Sequence, residues 1–188
     1  MTTGEFMGPF LPDSEAKSPS YFAEDAVATF GRLQVADIVQ MAQQSIGISR
    51  YCLHNNTSDS LHSMIIAQSS RRYWRPKKHS TKDKVFHIVQ GHMAVIEFHD
   101  GGNPRRLTVL ASDQVIAMRI PRGTFHTNFA LTSIVVHHEI IEGPYREGES
   151  DRIEADFAPA NEDQEAGQQF IRGALEVFGL DWTSKYGH

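Results

Sequence analysis

The sequence predicts an all-β sandwich or barrel flanked by a helix on either side. Many short apolar segments follow one another at close intervals, separated by Gly, Pro and Asn, as in β-sandwiches and barrels. Apolar residues at helical spacing occur only before and after that region. No internal repeat or second domain is evident, and 188 residues fit one domain with modest extensions.

Residues 1–30 are expected to form a mobile N-terminal arm, because Gly, Pro and Ser leave few apolar positions that can pair. Such an arm can dock on a partner subunit. Residues 31–160 are expected to hold the barrel and its leading helix. Val35, Ile38, Val39, Ala42 and Ile46 share one helical face, so a helix is predicted from Leu33 to about Ser45, ended by Gly47. Arg50–His54 is predicted as a short strand. Asn55–Ser60 has turn chemistry, and Leu61–Gln68 is the next strand. Further strands are predicted at Lys84–Gln90, His92–Phe98, Arg106–Leu110, Val115–Ile120 and Ile134–Ile141, with a hairpin turn at His99–Asn103. Residues 161–188 are expected to form a helix and tail. There Phe170, Ile171, Ala174, Leu175 and Phe178 make an apolar stripe that ends at Gly179 and packs outside the barrel.

The formal net charge of −5 argues against a general nucleic-acid surface. The basic, aromatic run Arg71–Lys78 is better explained as a strand entering a pocket. No apolar run is long enough for a signal peptide or membrane span, so a cytoplasmic protein is expected. Cys52 is the only cysteine, which rules out an internal disulfide and fits a small buried apolar group.

Two polar stretches carry the chemistry. Arg75 to Gly91 runs through Lys77, His79 and Lys84 into an apolar strand. About thirty residues later, Pro121-Arg122-Gly123-Thr124-Phe125-His126 makes a tight turn followed by a histidine. This pair of motifs resembles that of the cupin barrel, a double-stranded β-helix or jelly roll. In that family the first motif is His-x-His, four residues, Glu, six residues, Gly. The second is Pro-x-Gly-x-x-His, and the three histidines and the glutamate bind a metal. Here His79 and His126 stand at two histidine positions, while Lys77 replaces the first histidine and Lys84 the glutamate. An ammonium has no lone pair for a metal and repels a cation. The resemblance therefore implies an all-β cupin with flanking helices whose metal motif is degenerate. Arg50–His54, Tyr73-x-Arg75-Pro76 and Glu139–Tyr145 further resemble the WbuC-type cupins. These are bacterial proteins often associated with surface-polysaccharide gene clusters and described as metalloproteins.

Strand alternation puts Lys77 and His79 on one face, with Phe86 and Ile88 lining the same interior after Lys84. The register of the last strand is open. If Glu139 faces inward, it joins Lys77, His79, Lys84 and His126, with His54, Tyr145 and Arg75 as candidate substrate contacts. Such a set suits acid–base chemistry on a small anionic or keto substrate, such as a sugar or sugar nucleotide. A lysine of depressed pKa can form a Schiff base with a keto group, provided it is buried. Alternatively, Lys77 or Lys84 forms a salt bridge with Glu139 or Asp83 and only fills space. Two other functions stay open. One is a metalloprotein holding a divalent transition metal through His79 and His126, with Glu139, His137 or His54 as third ligand. The other is a non-catalytic anion-binding cupin. Pairing of cupins through exposed strands implies a homodimer.

Overall fold

The computed structural model describes residues 10–16, 18–145 and 151–182. In chain order the elements are β1 (Phe10–Pro12), β2 (Ser20–Ala23), α1 (Arg32–Gln44), β3 (Ile48–Cys52), β4 (Leu61–Ser69) and β5 (Lys77–His79). There follow β6 (Lys84–Gln90), β7 (Met93–Phe98), β8 (Pro104–Leu110), β9 (Ala117–Ile120), β10 (Phe125–Ala130), β11 (Ile134–Glu142), β12 (Arg152–Glu154) and α2 (Gln164–Glu176). One sheet has the order β1-β2-β3-β4-β11-β6-β9, the other β12-β5-β10-β7-β8. From β4 to β11 the chain alternates between sheets except at the β7–β8 hairpin, and β4-β11-β6-β9 packs over β5-β10-β7-β8 in the order of a jelly roll. With its two helices this is the all-β architecture that the motifs imply.

Alternation sorts the apolar residues into three layers. Phe86, Met93, Val95, Leu110, Ile120, Ala130 and Val135 fill the barrel interior. Ile65, Ala67, Ile134 and Val136 face outward and are covered by Ile38 and Ala42 of α1. Ile96, Phe98, Phe125 and Phe129 are covered by Ile171, Ala174 and Leu175 of α2. Complete burial of a residue such as Ile38 contributes about 2–3 kcal/mol. Neither helix is hydrophobic all round, and among the described residues no helix is long and apolar enough to cross a membrane.

Both helix starts are capped. Gln34 Oε1 accepts from the Gly31 N–H at 2.8 Å. Asp163 accepts from the Ala166 N–H at 3.0 Å, satisfying a donor the helix leaves free. Gly167 lies directly on the Tyr73 ring, where a β-carbon would overlap it, so glycine sets how close α2 comes to the sheet. Gly91 ends β6 at φ +82°, a conformation L side chains resist.

The structure departs from the expected elements mainly at their ends. Residues 10–23, expected within a mobile arm, supply two strands. β1 pairs antiparallel with β2, and β2 pairs parallel with β3. These strands are too short for periodicity to reveal, and the sheet edge beside them supplies their hydrogen bonds. The rest of the expected arm before Phe10 lies outside the described residues, as does the tail after Trp182. Leu53 and His54 fall in the loop after β3. Val115 makes only an isolated bridge to Leu110 before β9 begins. The second helix stops at Glu176, three residues before Gly179, which takes φ +70°.

Candidate functional site

The two motifs meet in the barrel. β5 lies beside β10, with Lys77 opposite His126. The Pro121–Gly123 turn puts Gly123 at φ +78°, and its N–H donates to the His79 carbonyl at 2.7 Å. On the other sheet, Glu139 stands opposite Phe86 and Ile141 opposite Lys84. The open register of the last strand is thereby resolved, with His137 and Glu139 facing inward. His138 faces out. Its Nε2 meets Ser63 Oγ at 2.8 Å, and its ring stacks on His87 at 5.8 Å. The interior thus gathers Lys77, His79, Lys84, His126, His137 and Glu139 from four strands.

Charge compensation within this group is uneven. Lys84 Nζ donates to Glu139 Oε1 at 3.0 Å, with side chains 3% and 14% exposed. The ammonium also lies 5.3 Å from the centre of the Phe86 ring. Burial works to raise the Glu139 pKa, but Lys84, Lys77 and His137 outweigh it and hold the carboxyl well below its ordinary range. Lys77 has no hydrogen bond or ion pair among the described residues. Burial first, then the charges of Lys84 and Arg152, push its amine well below the ordinary lysine value, and Glu139 alone pulls the other way.

His79 Nδ1 lies 2.7 Å from Asp151 Oδ2. Asp151 also accepts from the Thr81 N–H at 2.8 Å and the Thr81 hydroxyl at 2.6 Å. Burial raises the Asp151 pKa, but these donors and His79 more than offset it, so the carboxyl stays ionised. An ionised carboxylate only accepts, so Nδ1 carries the hydrogen and the lone pair lies on Nε2. Burial, followed by Lys84, lowers the His79 pKa to about 4 despite Asp151. The contact is therefore a hydrogen bond from a neutral imidazole rather than an ion pair.

His126 is 2% exposed and donates from Nδ1 to the Thr124 carbonyl at 2.9 Å. Its Nε2 is buried without a hydrogen-bond partner among the described residues, and burial lowers its pKa to about 3. His137 is 1% exposed, and neither ring nitrogen has a hydrogen-bond partner among the described residues. Its pKa is lowered to about 4, again chiefly by burial. Its ring meets Phe86 edge-on at 5.6 Å.

Two expected substrate contacts, Arg75 and His54, are engaged elsewhere, and a third, Tyr145, is exposed. Arg75 donates through Nε to the Ala155 carbonyl and lies 3.8 Å from Glu154, tying β12 to the strand before β5. His54 hydrogen-bonds the backbone of Ser63 and stacks on His62 at 4.3 Å. Its neighbours are Phe22, Ser63 and His62 rather than the lysines. Tyr145 is 56% exposed beside Thr57. Asp83 pairs with Arg119 and Arg122 rather than with a lysine of the site. Two interior carboxylates escaped the sequence reading. Asp151 lies in an acidic stretch without periodicity, so no sequence signal marks it. Glu97 stands opposite His126 and lies 3.8 Å from Arg106. Its alternation with Val95 is the signal that could have found it.

The donors do not fit a metal. Lys77 and Lys84 occupy two of the four motif positions, and Glu139 is held by Lys84. His54 is held by Ser63. Among the described residues, no three His, Cys, Asp or Glu side chains gather as a metal site.

A family model described as a domain of unknown function (DUF6016) matches residues 33–110, less than half of the chain. No curated protein matches. Among solved structures, the chain is similar to the capsular polysaccharide assembling protein CapF from Staphylococcus aureus. The identity is 14%, with 79% of this chain and 32% of that one covered, at a TM-score of 0.48. KdgF from Halomonas sp. is 20% identical over 54% of this chain and 84% of that one, at a TM-score of 0.41. The cupin domain of Schizosaccharomyces pombe Cnp3 is 16% identical over 50% and 64%, at a TM-score of 0.39. The chain spans about a third of the CapF chain it matches. At these identities the likeness is one of fold alone.

Proposed function

We propose that this chain is an acid–base enzyme of isomerase, epimerase or lyase type that works without a metal on a small anionic substrate bearing a carbonyl group. The observation that carries this reading is the 2.7 Å hydrogen bond from His79 to Asp151 beside the Lys84–Glu139 pair. Asp151 fixes the tautomer, so His79 Nε2 is the atom that takes a proton from the carbon next to a substrate carbonyl. The imidazolium so formed is balanced by Asp151. Negative charge that develops on the substrate oxygen is met by the Lys84 ammonium in a site shielded from water. His126 Nε2, a second basic atom, is suited to return a proton from a different direction. The WbuC-like motifs imply a sugar or sugar nucleotide of surface-polysaccharide metabolism as substrate. A homodimer and a cytoplasmic location belong to the same proposal, and light scattering tests the first.

The test is solvent deuterium uptake, followed by proton NMR, on a panel of oxo acids and sugar nucleotides. Uptake next to a carbonyl is expected for at least one compound, and it should vanish in His79→Ala. Uptake that survives unchanged in both His79→Ala and His126→Ala removes the reading. Thermal-shift ligands that show neither uptake nor turnover mark a non-catalytic anion-binding cupin instead.

A further inference from the structure

Of the two interior lysines, only Lys84 is paired with a carboxylate among the described residues. Lys84 takes Glu139 at 3.0 Å, which leaves Lys77 without a counter-ion among the described residues. Glu154 stands opposite Lys77 on β12, but its carboxylate is engaged by Arg152 at 2.7 Å and Arg75 at 3.8 Å. The charged groups that act on Lys77 are Lys84, Arg152, Glu139 and Arg50, three cations and one anion. His126 lies directly across the ladder from Lys77, and its buried Nε2 has no hydrogen-bond partner among the described residues. Lys77 as a residue is half-buried, while its amine lies inside the barrel among the charged groups. An amine with no counter-ion among the described residues, crowded by cations and lying across from a neutral imidazole, is placed as a nucleophile rather than as a charge.

We propose that Lys77 acts covalently, forming an imine with the carbonyl carbon of a small oxo acid bound in the site. This rests on the acid–base reading above and adds a bond to it. The Nζ lone pair attacks the carbonyl carbon, and the C=O π pair moves to oxygen. One proton leaves nitrogen and one reaches that oxygen, with His126 Nε2 as carrier, to give the carbinolamine. A proton drawn from solvent and carried by His126 Nε2 lets the carbinolamine hydroxyl leave as water, and the C=N bond that forms keeps the remaining hydrogen on nitrogen as an iminium. This iminium withdraws electrons from the adjacent C–H, whose proton passes to His79 Nε2. Hydrolysis restores the amine and the carbonyl, so no oxidant or reductant is consumed. The carboxylate of an oxo acid supplies the negative charge that this end of the barrel lacks.

The experiment treats the full chain with glyoxylate and sodium cyanoborohydride near neutral pH, and maps alkylated lysines by peptide mass spectrometry. Lys77 should be modified at least about tenfold faster than Lys78 or Lys82, because the uncharged amine is the nucleophile. Lys77→Met should keep its circular dichroism and lose that label, while Lys78 and Lys82 keep theirs. Labelling of Lys77 no faster than of Lys78 and Lys82, or none at all, overturns the inference. The two proposals fail separately. Asp151→Asn should retain the Lys77 label and lose deuterium uptake. Uptake without any label would remove the imine alone, and a selective label without uptake in any compound would remove the acid–base reading alone.

Discussion

Ala130 and His126 lie on one face of β10, Val135 and Glu139 on one face of β11, and Ile88 and Lys84 on one face of β6. The first of each pair packs in the apolar interior, and the second stands in the charged cluster. Between them sit neutral polar groups, among them Asn128, which donates to Gln68 at 2.8 Å. Alternation decides that all these side chains point inward. Height along the barrel decides what chemistry each can have. At the apolar end Met93, Ala130 and Val135 are fully buried and need no partner. At the other end a buried charge is tolerable only where another charge or hydrogen bond answers it.

The comparison breaks first at the ion pair. Glu139→Leu should cost about 3–5 kcal/mol in urea unfolding, because it strands the Lys84 ammonium in the interior. Adding Lys84→Met should recover most of that loss, and failure to recover would mean that Glu139 stabilises through some other contact. At the apolar end, Leu110→Ala should cost about 2–5 kcal/mol by opening a cavity. It should leave the labelling of Lys77 unchanged, and altered labelling would show that the two ends are not independent.

A change of pH separates the two ends without mutation. The native pKa values of His126 and His137, about 3 and about 4, lie below the ordinary 6.5, so both are neutral in the native chain. The unfolded chain takes those protons first. Their contribution is complete above about pH 6.5 and declines as pH falls toward 4, by up to about 1.4 kcal/mol per pH unit for each histidine. Glu139 acts in the same direction at lower pH. Its depressed pKa contributes stability above the ordinary carboxyl range that is lost as pH falls through it. Urea midpoints that do not move between about pH 7 and pH 5 would refute the neutral assignment. The smallest stability effect belongs to Asp151→Asn, about 1 kcal/mol, because the amide oxygen can still accept from Thr81. Its effect on deuterium uptake should nevertheless be large. Uptake equal to that of the unmodified chain would make the His79–Asp151 bond structural.

Much of the frame could be read from residues alone. Gly91 marked the end of β6 and Pro121–Gly123 the end of β9, and alternation grouped Lys77 with His79. Pairing across long separations could not be read. Lys84 and Glu139 are 55 residues apart, and His79 and Asp151 are 72 apart. No local period links either pair. Arg75 and His54 carry groups suited to an anion, but nearby backbone carbonyls claim them, and only coordinates reveal those acceptors. The strands β1 and β2 were missed because three or four residues are too few to show a period.

The Gly123 N–H bonded to the His79 carbonyl has a mechanical consequence. It rivets the loop that launches His126 onto the strand that carries the Asp151-held imidazole. The two imidazoles therefore cannot drift apart by sliding of their strands, and a guest entering the barrel must be accommodated by side-chain rotation or by other loops. A bulkier residue at Gly123 would loosen the rivet and let the spacing between the two bases wander, while the apolar floor beneath them stayed as it is.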